Sequence, residues 1–196
     1  RGVMVVFGGH VIAGTRAKKN KTISYDAFAS VNFPALALVQ GDRLVRYIPS
    51  PWPTGPVEFG RAMNPRVFLL KLIPGIDAGI FDYLKAHYRA LVIESFGVGG
   101  LPSYSDDKLF EVIRKYTGVG KFIVVTTQVQ NEGSNVGVYQ VGHKIRECPQ
   151  VLEAFDMTTE AITGKLMWIL GQTKDPARIH RLFYTPVAND ILNYHA

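Results

Sequence analysis

Residues 90–93, Ala-Leu-Val-Ile, form a run of apolar side chains with no polar residue between them. Two similar runs occur in the same part of the chain, Val-Phe-Leu-Leu at 67–70 and Phe-Ile-Val-Val at 122–125. Segments with apolar residues at helical spacing separate these runs, at 78–88 and 106–116. Continuous apolar strands that alternate with amphipathic helices are typical of a parallel sheet covered on both faces. The sequence therefore predicts a three-layer α/β domain built on a parallel sheet.

Capping residues predict two further helices near the C-terminus. Asp156 is expected to cap a helix that runs towards Gly171, with an apolar stripe at 162–170. The pair Asp175-Pro176 predicts the start of the last helix. Aspartate accepts hydrogen bonds from the unpaired N–H groups of a first turn, and proline suits the first helical position.

The first 48 residues indicate a β-hairpin region. Val3 to Phe7 predicts a buried strand, Gly8-Gly9 supplies the positive φ angles of a tight turn, and Val11 to Ala13 predicts the return strand. Another short strand is expected at Leu44 to Tyr47. Because natural domains rarely open directly on a buried strand, the start at Arg1 indicates a truncated chain.

A proline-rich stretch divides the chain at 49–66. It contains five prolines and two glycines, which exclude a helix or a central strand. We therefore expect a linker at 49–66. The end of a larger α/β domain would precede it at 1–48, and a smaller three-layer α/β domain would follow at 67–196.

Composition narrows the classes of function. Hydrophobic residues make up 47% and charged residues 19%, which are ordinary values for a globular protein. No apolar run approaches the ~20 residues that span a bilayer, and no signal peptide is recognised, so no membrane partner is expected. The single cysteine, Cys148, favours a reducing, cytoplasmic location, and the five dispersed histidines predict no metal site.

Basic residues cluster at one place, although the formal net charge of +6 is otherwise scattered. The cluster has no interleaved aromatic residues and no glycine-rich context, in contrast to nucleic-acid patches. We interpret it as a solvated turn and expect no nucleic-acid partner. Its members are Arg16, Lys18, Lys19 and Lys21.

The loops that follow the predicted strands are the places where a ligand site is expected, because open parallel sheets bind ligands beyond the carboxyl ends of their strands. These loops lie at 74–77, 94–102 and 126–135. The segment Gly97-Val98-Gly99-Gly100 lacks the glycine spacing of a dinucleotide site, and no cofactor is expected. The segment is either a tight turn or a loop that approaches a ligand or a neighbouring subunit.

Four stretches, read in order, resemble the asparaginase family, specifically its bacterial type I (cytosolic) branch. The similarity runs through nearly the whole chain and supports both expected domains. The stretches are Arg-Gly-Val-Met-Val-Val-Phe at 1–7 with Gly-Thr-Arg-Ala-Lys-Lys at 14–19 and Asp-Ala-Phe-Ala-Ser at 26–30; Pro-Gly-Ile at 74–76 with the segment 90–102; the loop 128–139; and Asp-Met-Thr-Thr-Glu-Ala at 156–161 with Lys-Leu at 165–166.

The resemblance implies an L-asparaginase, which hydrolyses the side-chain amide of L-asparagine to L-aspartate and ammonia. In that family a threonine in a Thr-Gly-Gly-Thr-type motif is the nucleophile, and a Thr-Asp-Thr-type motif with a lysine activates it or water. The matching lysine is Lys19, whereas neither threonine motif occurs in this sequence. Both would lie upstream of Arg1, so we expect the 196 residues alone to be inactive.

The resemblance also concerns the loop after the second apolar run. Ser95, Gly99 and Gly100 fall in the family's loop that meets substrate or a neighbouring subunit, which implies a homo-oligomer, either a dimer or a tetramer. Many relatives have an asparagine where this chain has Gly100. Some type I enzymes have an effector site for asparagine that uses an arginine, a cysteine and a threonine. The corresponding residues here are Glu94, Val129 and Lys18, and a glutamate would repel the carboxylate of the effector.

Two other functions are compatible with the sequence. The first is the asparaginase-like subunit of an archaeal tRNA-dependent amidotransferase, which applies the same amide chemistry to supply ammonia to a partner. The second is a non-catalytic module that binds a small amino acid or mediates oligomerisation. Ammonia release that needs tRNA or a partner would favour the first, and ligand binding without ammonia release would favour the second.

Overall fold

The computed structural model describes residues 2–49, 54–56, 59–101, 108–138 and 147–192. The α-helices of the described residues follow the proline-rich stretch. They are α1 (Ile80–His87), α2 (Lys108–Thr117), α3 (Thr159–Gln172) and α4 (Pro176–Tyr184). The strands are β1 (Met4–Phe7), β2 (His10–Ala13), β3 (Ala17–Lys19), β4 (Phe28–Ser30), β5 (Ala37–Gln40), β6 (Arg43–Arg46), β7 (Val67–Lys71), β8 (Ala90–Ser95), β9 (Phe122–Thr127) and β10 (Val151–Glu153).

A parallel sheet of four strands in the order β10-β9-β8-β7 forms the centre of the C-terminal region. Its side chains alternate between two cores. Leu91 and Ile123 face α1 and α2, whereas Val92 and Val124 face α3 and α4, and all of them are inaccessible to solvent. The prediction of a three-layer α/β domain with a parallel sheet is confirmed.

The fourth strand, β10, was not expected from the sequence. It contains only Val151–Glu153 and pairs with Ile123 to Val125 of β9. So short a segment carries no apolar run of its own. Its pairing partner alone makes it a strand.

The N-terminal region contains an antiparallel sheet in the order β1-β2-β5-β6 and a separate ribbon of β3 and β4. The hairpin turn between β1 and β2 is confirmed, with φ angles of 57° at Gly8 and 80° at Gly9. The expectation that Val3 to Phe7 forms a buried strand is wrong in one respect. The strand forms, but Val3 is 81% and Val6 61% exposed, because β1 is an edge strand that pairs only with β2 among the described residues.

Two further expectations are corrected. The cluster at 16–21 is not a solvated turn, since Ala17–Lys19 forms β3 and Arg16 is wholly buried. Helix α3 is capped by Thr158, whose hydroxyl accepts the Ala161 N–H, and not by Asp156. The carboxylate of Asp156 is occupied by other partners instead.

Part of the expected linker lies against α3. The backbone N–H of Asn64 donates to the Met167 carbonyl at 2.9 Å, and the Gln172 amide donates to the Ala62 carbonyl at 2.7 Å. Residues 54–56 and 59–66 contain no helix or strand, while 50–53 and 57–58 lie outside the described residues. None of the helices in the described part of the chain is long and apolar enough to cross a membrane.

Two glycines in α3 test this packing because a methyl group would meet different surroundings at each. We expect Gly164→Ala to raise the free energy of unfolding by about 0.5–1 kcal/mol, since its Cβ would meet nothing within 4 Å. We expect Gly171→Ala to lower it by about 1–3 kcal/mol, because its Cβ would overlap the Ala62 carbonyl. Urea denaturation of both variants measures the difference. Equal stabilisation by both substitutions would contradict the docking of residues 60–64 on α3.

Candidate functional site

A polar cavity of about 310 Å³ lies at the carboxyl edge of the parallel sheet. Three of its side chains form a row across neighbouring strands, since Lys71, Glu94 and Thr126 are register partners on β7, β8 and β9. On each strand an apolar residue that packs against α3 lies two or four positions earlier, and so on the same face of the sheet. These residues are Val67, Val92 and Val124. The row therefore lies on the α3 face of the sheet, at the carboxyl ends of the strands, where the sequence predicts a ligand site in the loops that follow.

The N-terminus of α3 forms a second wall of this cavity through Thr158 and Thr159. The Thr159 hydroxyl donates to Oε1 of Glu94 at 2.8 Å. A helix N-terminus carries partial positive charge, so the Glu94 carboxylate lies where an anion is stabilised.

Residues from the N-terminal region complete the cavity. Lys18 extends from β3, and its Nζ lies 2.7 Å from Oε1 of Glu160 in the first turn of α3. Asn32 donates from its amide to the Asp156 carbonyl at 3.0 Å and accepts the Glu132 N–H at 2.8 Å. Two distant parts of the chain therefore meet at one ligand-sized space.

Residues with left-handed backbone occur near this cavity and also in the turn that contacts Arg16, where Ala188 and Asn189 have φ angles of 50° and 62°. Asn32, Glu132 and Phe155 have φ angles of 54°, 75° and 51°, in the left-handed region that residues other than glycine rarely adopt. Asn32 lines the cavity, and the Phe155 carbonyl accepts the Ser134 N–H at 2.8 Å beneath the loop that follows β9. Such conformations persist only where surrounding contacts hold them, and they cluster at functional sites.

Arg16 lies beneath this site and is inaccessible to solvent. Its guanidinium donates to Oδ2 of Asp156 at 2.7 Å, to the Asp156 carbonyl at 2.8 Å and to the Asn189 carbonyl. The ring centroid of Phe33 lies 5.4 Å from the guanidinium carbon. These partners explain why the interpretation of a solvated turn fails at this residue.

A second buried ion pair holds the turn that contacts Arg16. Nζ of Lys165 lies 2.8 Å from Oδ2 of Asp190 and donates to the Thr185 carbonyl at 2.7 Å. Burial lowers the pKa of Lys165, and the hydrogen bond and negative charge of Asp190 oppose that shift. The pair fixes residues 185–190 against α3.

Lys19 lies outside the polar cavity. It is the last residue of β3 and faces away from Lys18, opposite Phe28 of β4. Its ammonium lies 6.0 Å from the Phe28 ring centroid, is exposed, and has no ion-pair partner within the described residues. The two lysines of β3 therefore serve opposite faces of the ribbon.

Ser95, Gly99 and Gly100 lie at the end of β8. Ser95 is wholly buried, and its hydroxyl donates to the Thr126 carbonyl at 2.5 Å. Gly100 closes a tight turn by exchanging hydrogen bonds with Phe96, and Gly99, with a φ of 136°, packs so closely on Val136 that a Cβ would lie 3.0 Å from its side chain. The segment is a tight turn, and contact of these residues with a ligand or a neighbouring subunit stays a prediction.

Lys71, Asn32 and the Thr158-Thr159 pair are site residues that the sequence did not predict. Lys71 carried a usable signal, since it directly follows an apolar run, as Glu94 and Thr126 do. Among the described residues no group of three His, Cys, Asp or Glu side chains is placed to hold a metal ion.

These features define an α/β protein with a polar cavity at the carboxyl edge of a parallel sheet. Residues 66–183 match the family model of the glutaminase/asparaginase C-terminal domain, and residues 1–51 match that of the asparaginase N-terminal domain. The chain belongs to the glutaminase/asparaginase family. The resemblance stated from the sequence is thereby confirmed.

Individual relatives and solved structures agree with this assignment. The chain is 35% identical over 191 residues to the L-asparaginase of Thermococcus kodakarensis and 34% identical over 182 residues to a glutamyl-tRNA(Gln) amidotransferase subunit of Thermofilum pendens. These matches cover 97% and 91% of the chain but only 57% and 39% of the relatives.

The structure of the T. kodakarensis L-asparaginase superposes with a TM-score of 0.91 at 32% identity, covering 98% of this chain and 58% of that one. The structure of L-asparaginase I from Vibrio cholerae shares the fold with a TM-score of 0.84 at 21% identity, covering 97% of this chain and 57% of that one. The chain thus spans little more than half the length of these proteins.

Two carboxylates near the start of α3 allow a matched test of the buried ion pair. We expect Asp156→Asn to lower the free energy of unfolding by about 3–5 kcal/mol, because it leaves the buried Arg16 charge without a counter-ion. Glu160→Gln should cost less than about 1 kcal/mol, because its pair with Lys18 is partly solvated. Equilibrium denaturation measures both. Similar losses would show that the Arg16–Asp156 pair is not buried as described.

Proposed function

We propose that this chain is the C-terminal part of an L-asparaginase, which hydrolyses the side-chain amide of L-asparagine to L-aspartate and ammonia. The observation that carries the proposal is the match along 97% of the chain to the T. kodakarensis L-asparaginase, with matches to both asparaginase family models. The division into 1–48, 49–66 and 67–196 is part of the proposal. The family-model matches at 1–51 and 66–183 support it.

The reaction requires a hydroxyl nucleophile and a base. A threonine hydroxyl is a weak nucleophile until a neighbouring group takes its proton. The threonine motifs of the family do not occur in residues 1–196, so the proposed activity belongs to a polypeptide that also supplies them. We infer that the 196 residues alone do not release ammonia.

Lys19 is the proposed lysine of this machinery. It stands at the end of β3, and its amine extends from the side of the ribbon opposite the polar cavity. The described residues leave that amine exposed and without an ionic partner. It is therefore free to meet groups contributed by the remainder of the protein, where it would activate the threonine or a water molecule.

The turn at 96–100 is the proposed contact with substrate or with a neighbouring subunit. Gly97 and Val98 at its tip are exposed, Val98 to 41%, whereas Gly100 is partly exposed and Gly99 is buried. This arrangement supports a homo-oligomer in which the turn contributes shape and backbone hydrogen bonds. We further propose a cytoplasmic protein whose partner is L-asparagine.

A second function is favoured by the similarity to amidotransferase subunits. The T. pendens amidotransferase subunit matches 91% of the chain at 34% identity, close to the value for the L-asparaginase. In this alternative the same chemistry would serve a partner protein and tRNA. Ammonia release from free asparagine by the purified enzyme alone favours the asparaginase, whereas release only with RNA and a partner protein favours the amidotransferase.

Lysine substitutions in an N-terminally extended form test the role of Lys19. We expect Lys19→Ala to lower the rate of ammonia release from L-asparagine by about 10²–10⁴-fold, because the base is removed. Lys21→Ala is the control, since Lys21 is an exposed lysine of the same region that pairs with Asp26, and its rate should match the parent. Chain 1–196 should release no ammonia. Release by that chain that disappears with Lys19→Ala would place the nucleophile within these residues and contradict the proposal.

The charge of Glu94 predicts the shape of the rate curve. Its carboxylate lines the cavity and already accepts the Thr159 hydroxyl, so it would repel the carboxylate of an asparagine effector at that place. We expect a hyperbolic dependence of the rate of the extended form on asparagine concentration. A sigmoidal curve that becomes hyperbolic with a bulkier residue at Val129 would contradict this expectation.

A further inference from the structure

One side of the N-terminal sheet is apolar and lies uncovered in the described residues. The strand register brings apolar side chains of β1, β5 and β6 to this side, because side chains alternate between the two sides of a strand. They line a hollow of about 760 Å³ and include Met4, Val6, Val39 and Leu44. Val6 is 61% and Leu44 56% exposed. We call this side of the sheet, with its hollow, the open face.

The opposite side of the same sheet is covered. Phe7 of β1 packs on Phe28 of β4 with ring centroids 5.3 Å apart, and Ile12 of β2 is almost inaccessible to solvent. The ribbon of β3 and β4 therefore forms a layer on that side. An antiparallel sheet can leave its other side to water, but the side chains there are then mostly polar. The open face does not follow this pattern.

The chemistry of the open face is that of the core of an interface. Its floor is formed by buried side chains of Val11, Ala13 and Ala37. Among the described residues that line it, Arg46 alone carries a charge. Monomeric proteins rarely leave a large contiguous apolar patch in water, and such patches mark places where another surface docks. The open face is therefore suited to an apolar protein surface, in contrast to the polar cavity beside α3.

Strand β1 offers free backbone groups at the border of the open face. It pairs only with β2 among the described residues, and Met4–Phe7 contains neither a charge nor a proline. Natural proteins usually protect a free strand edge with charged residues, proline or a bulge. An unprotected edge beside an apolar face is a place where another polypeptide can add a strand.

The rim of the hollow is held in place by the C-terminal region. Ala188 and Asn189 line the hollow at this rim. The Thr15 hydroxyl donates to the Ala188 carbonyl at 2.7 Å, and the Arg16 guanidinium donates to the Asn189 carbonyl. The shape of the open face is thus set by contacts within the described residues, before any other polypeptide binds.

The proposed function supplies an occupant for the open face, because it requires a polypeptide that contains the threonine motifs. The face lies within residues 1–51, which match the asparaginase N-terminal family model, and the T. kodakarensis L-asparaginase is covered only to 57% by this chain. We propose that the polypeptide that contains the threonine motifs docks on the open face and adds a strand beside β1. The inference rests on the proposed function, since that function requires this polypeptide.

A cysteine on the open face reports whether the face is covered. In a Cys148→Ser background, we expect iodoacetamide to alkylate Leu44→Cys at least about 100-fold more slowly in the N-terminally extended form than in chain 1–196, because a covered thiol reacts only after local opening. Val119→Cys is the control. Val119 is 58% exposed in the turn before β9, and its variant should react at the same rate in both forms. Equal rates for Leu44→Cys in the two forms would overturn the inference.

The same experiment detects other occupants. Alkylation of Leu44→Cys in chain 1–196 that slows as the protein concentration rises, with fast alkylation in the extended form, would assign the face to a second copy and overturn the inference. Slow alkylation in chain 1–196 at every concentration would show that residues 1–196 cover the face themselves, with the same consequence.

A charge on the open face gives a second test. In chain 1–196 the ammonium of Leu44→Lys remains in water, and the urea midpoint should shift by less than about 0.3 M. In the extended form the ammonium would be buried without a counter-ion, and the midpoint should fall by about 1 M or more. Val119→Lys should leave both midpoints unchanged. A shift of the same size for Leu44→Lys in both forms would contradict docking on this face.

The outcomes separate this inference from the proposed function, because neither alkylation nor denaturation requires catalysis. An extended form that protects Leu44→Cys but releases no ammonia from L-asparagine contradicts the proposed function and supports the docking. An extended form that releases ammonia while Leu44→Cys reacts as fast as in chain 1–196 overturns the docking alone.

Discussion

A buried charge is tolerated only when a counter-ion and enough hydrogen-bond partners replace the water that it has lost. Arg16 meets this requirement through Asp156 and the Asn189 carbonyl. The N-terminal ribbon, the start of α3 and the turn before residue 192 are thereby restricted to one relative arrangement. The polar cavity and the direction of both β3 lysines depend on that arrangement.

The polar cavity brings together charged groups that stabilise one another. Lys71 and Glu94 are neighbours across β7 and β8, and the Glu94 carboxylate also receives the Thr159 hydroxyl at the positive end of α3. The protein thus supplies its own anion to the helix N-terminus. A ligand carboxylate would have to compete with the Glu94 carboxylate for this place. Glu94 is covalently attached to the protein and therefore loses no translational entropy when it occupies the place. The electrostatic character of the cavity is therefore set by Glu94 together with Lys18 and Lys71, which also line it.

The sequence predicts those parts of the fold whose signal is local. The apolar runs at β7, β8 and β9 and the periodic segments at α1 and α4 are visible without knowledge of their partners. In contrast, β10 and β3 have three residues each and are strands only because a neighbour pairs with them. The burial of Arg16 depends on a residue 140 positions away, so nothing near it in the sequence distinguishes it from a solvated arginine. Lys19 is proposed from the resemblance to a family alone, because an exposed lysine at a strand end has no local signature of catalysis. The cavity was predicted by the rule for parallel sheets, although its wall from β3 was not.

The separation between Thr15 and Ala188 has a consequence for biosynthesis. A hydrogen bond joins these residues across 173 positions, and Arg16 is as far from its acceptor in Asn189. At translation rates of roughly 5–20 residues per second, about 9–35 s elapse between the emergence of one partner and the other. Arg16 gains its counter-ion only after Asp156, 140 positions later, has been synthesised, whereas strands β7 to β9 end at Thr127 and can assemble earlier. Ala188 and Asn189 therefore complete the docking of the N-terminal region only after strands β7 to β9 have been synthesised.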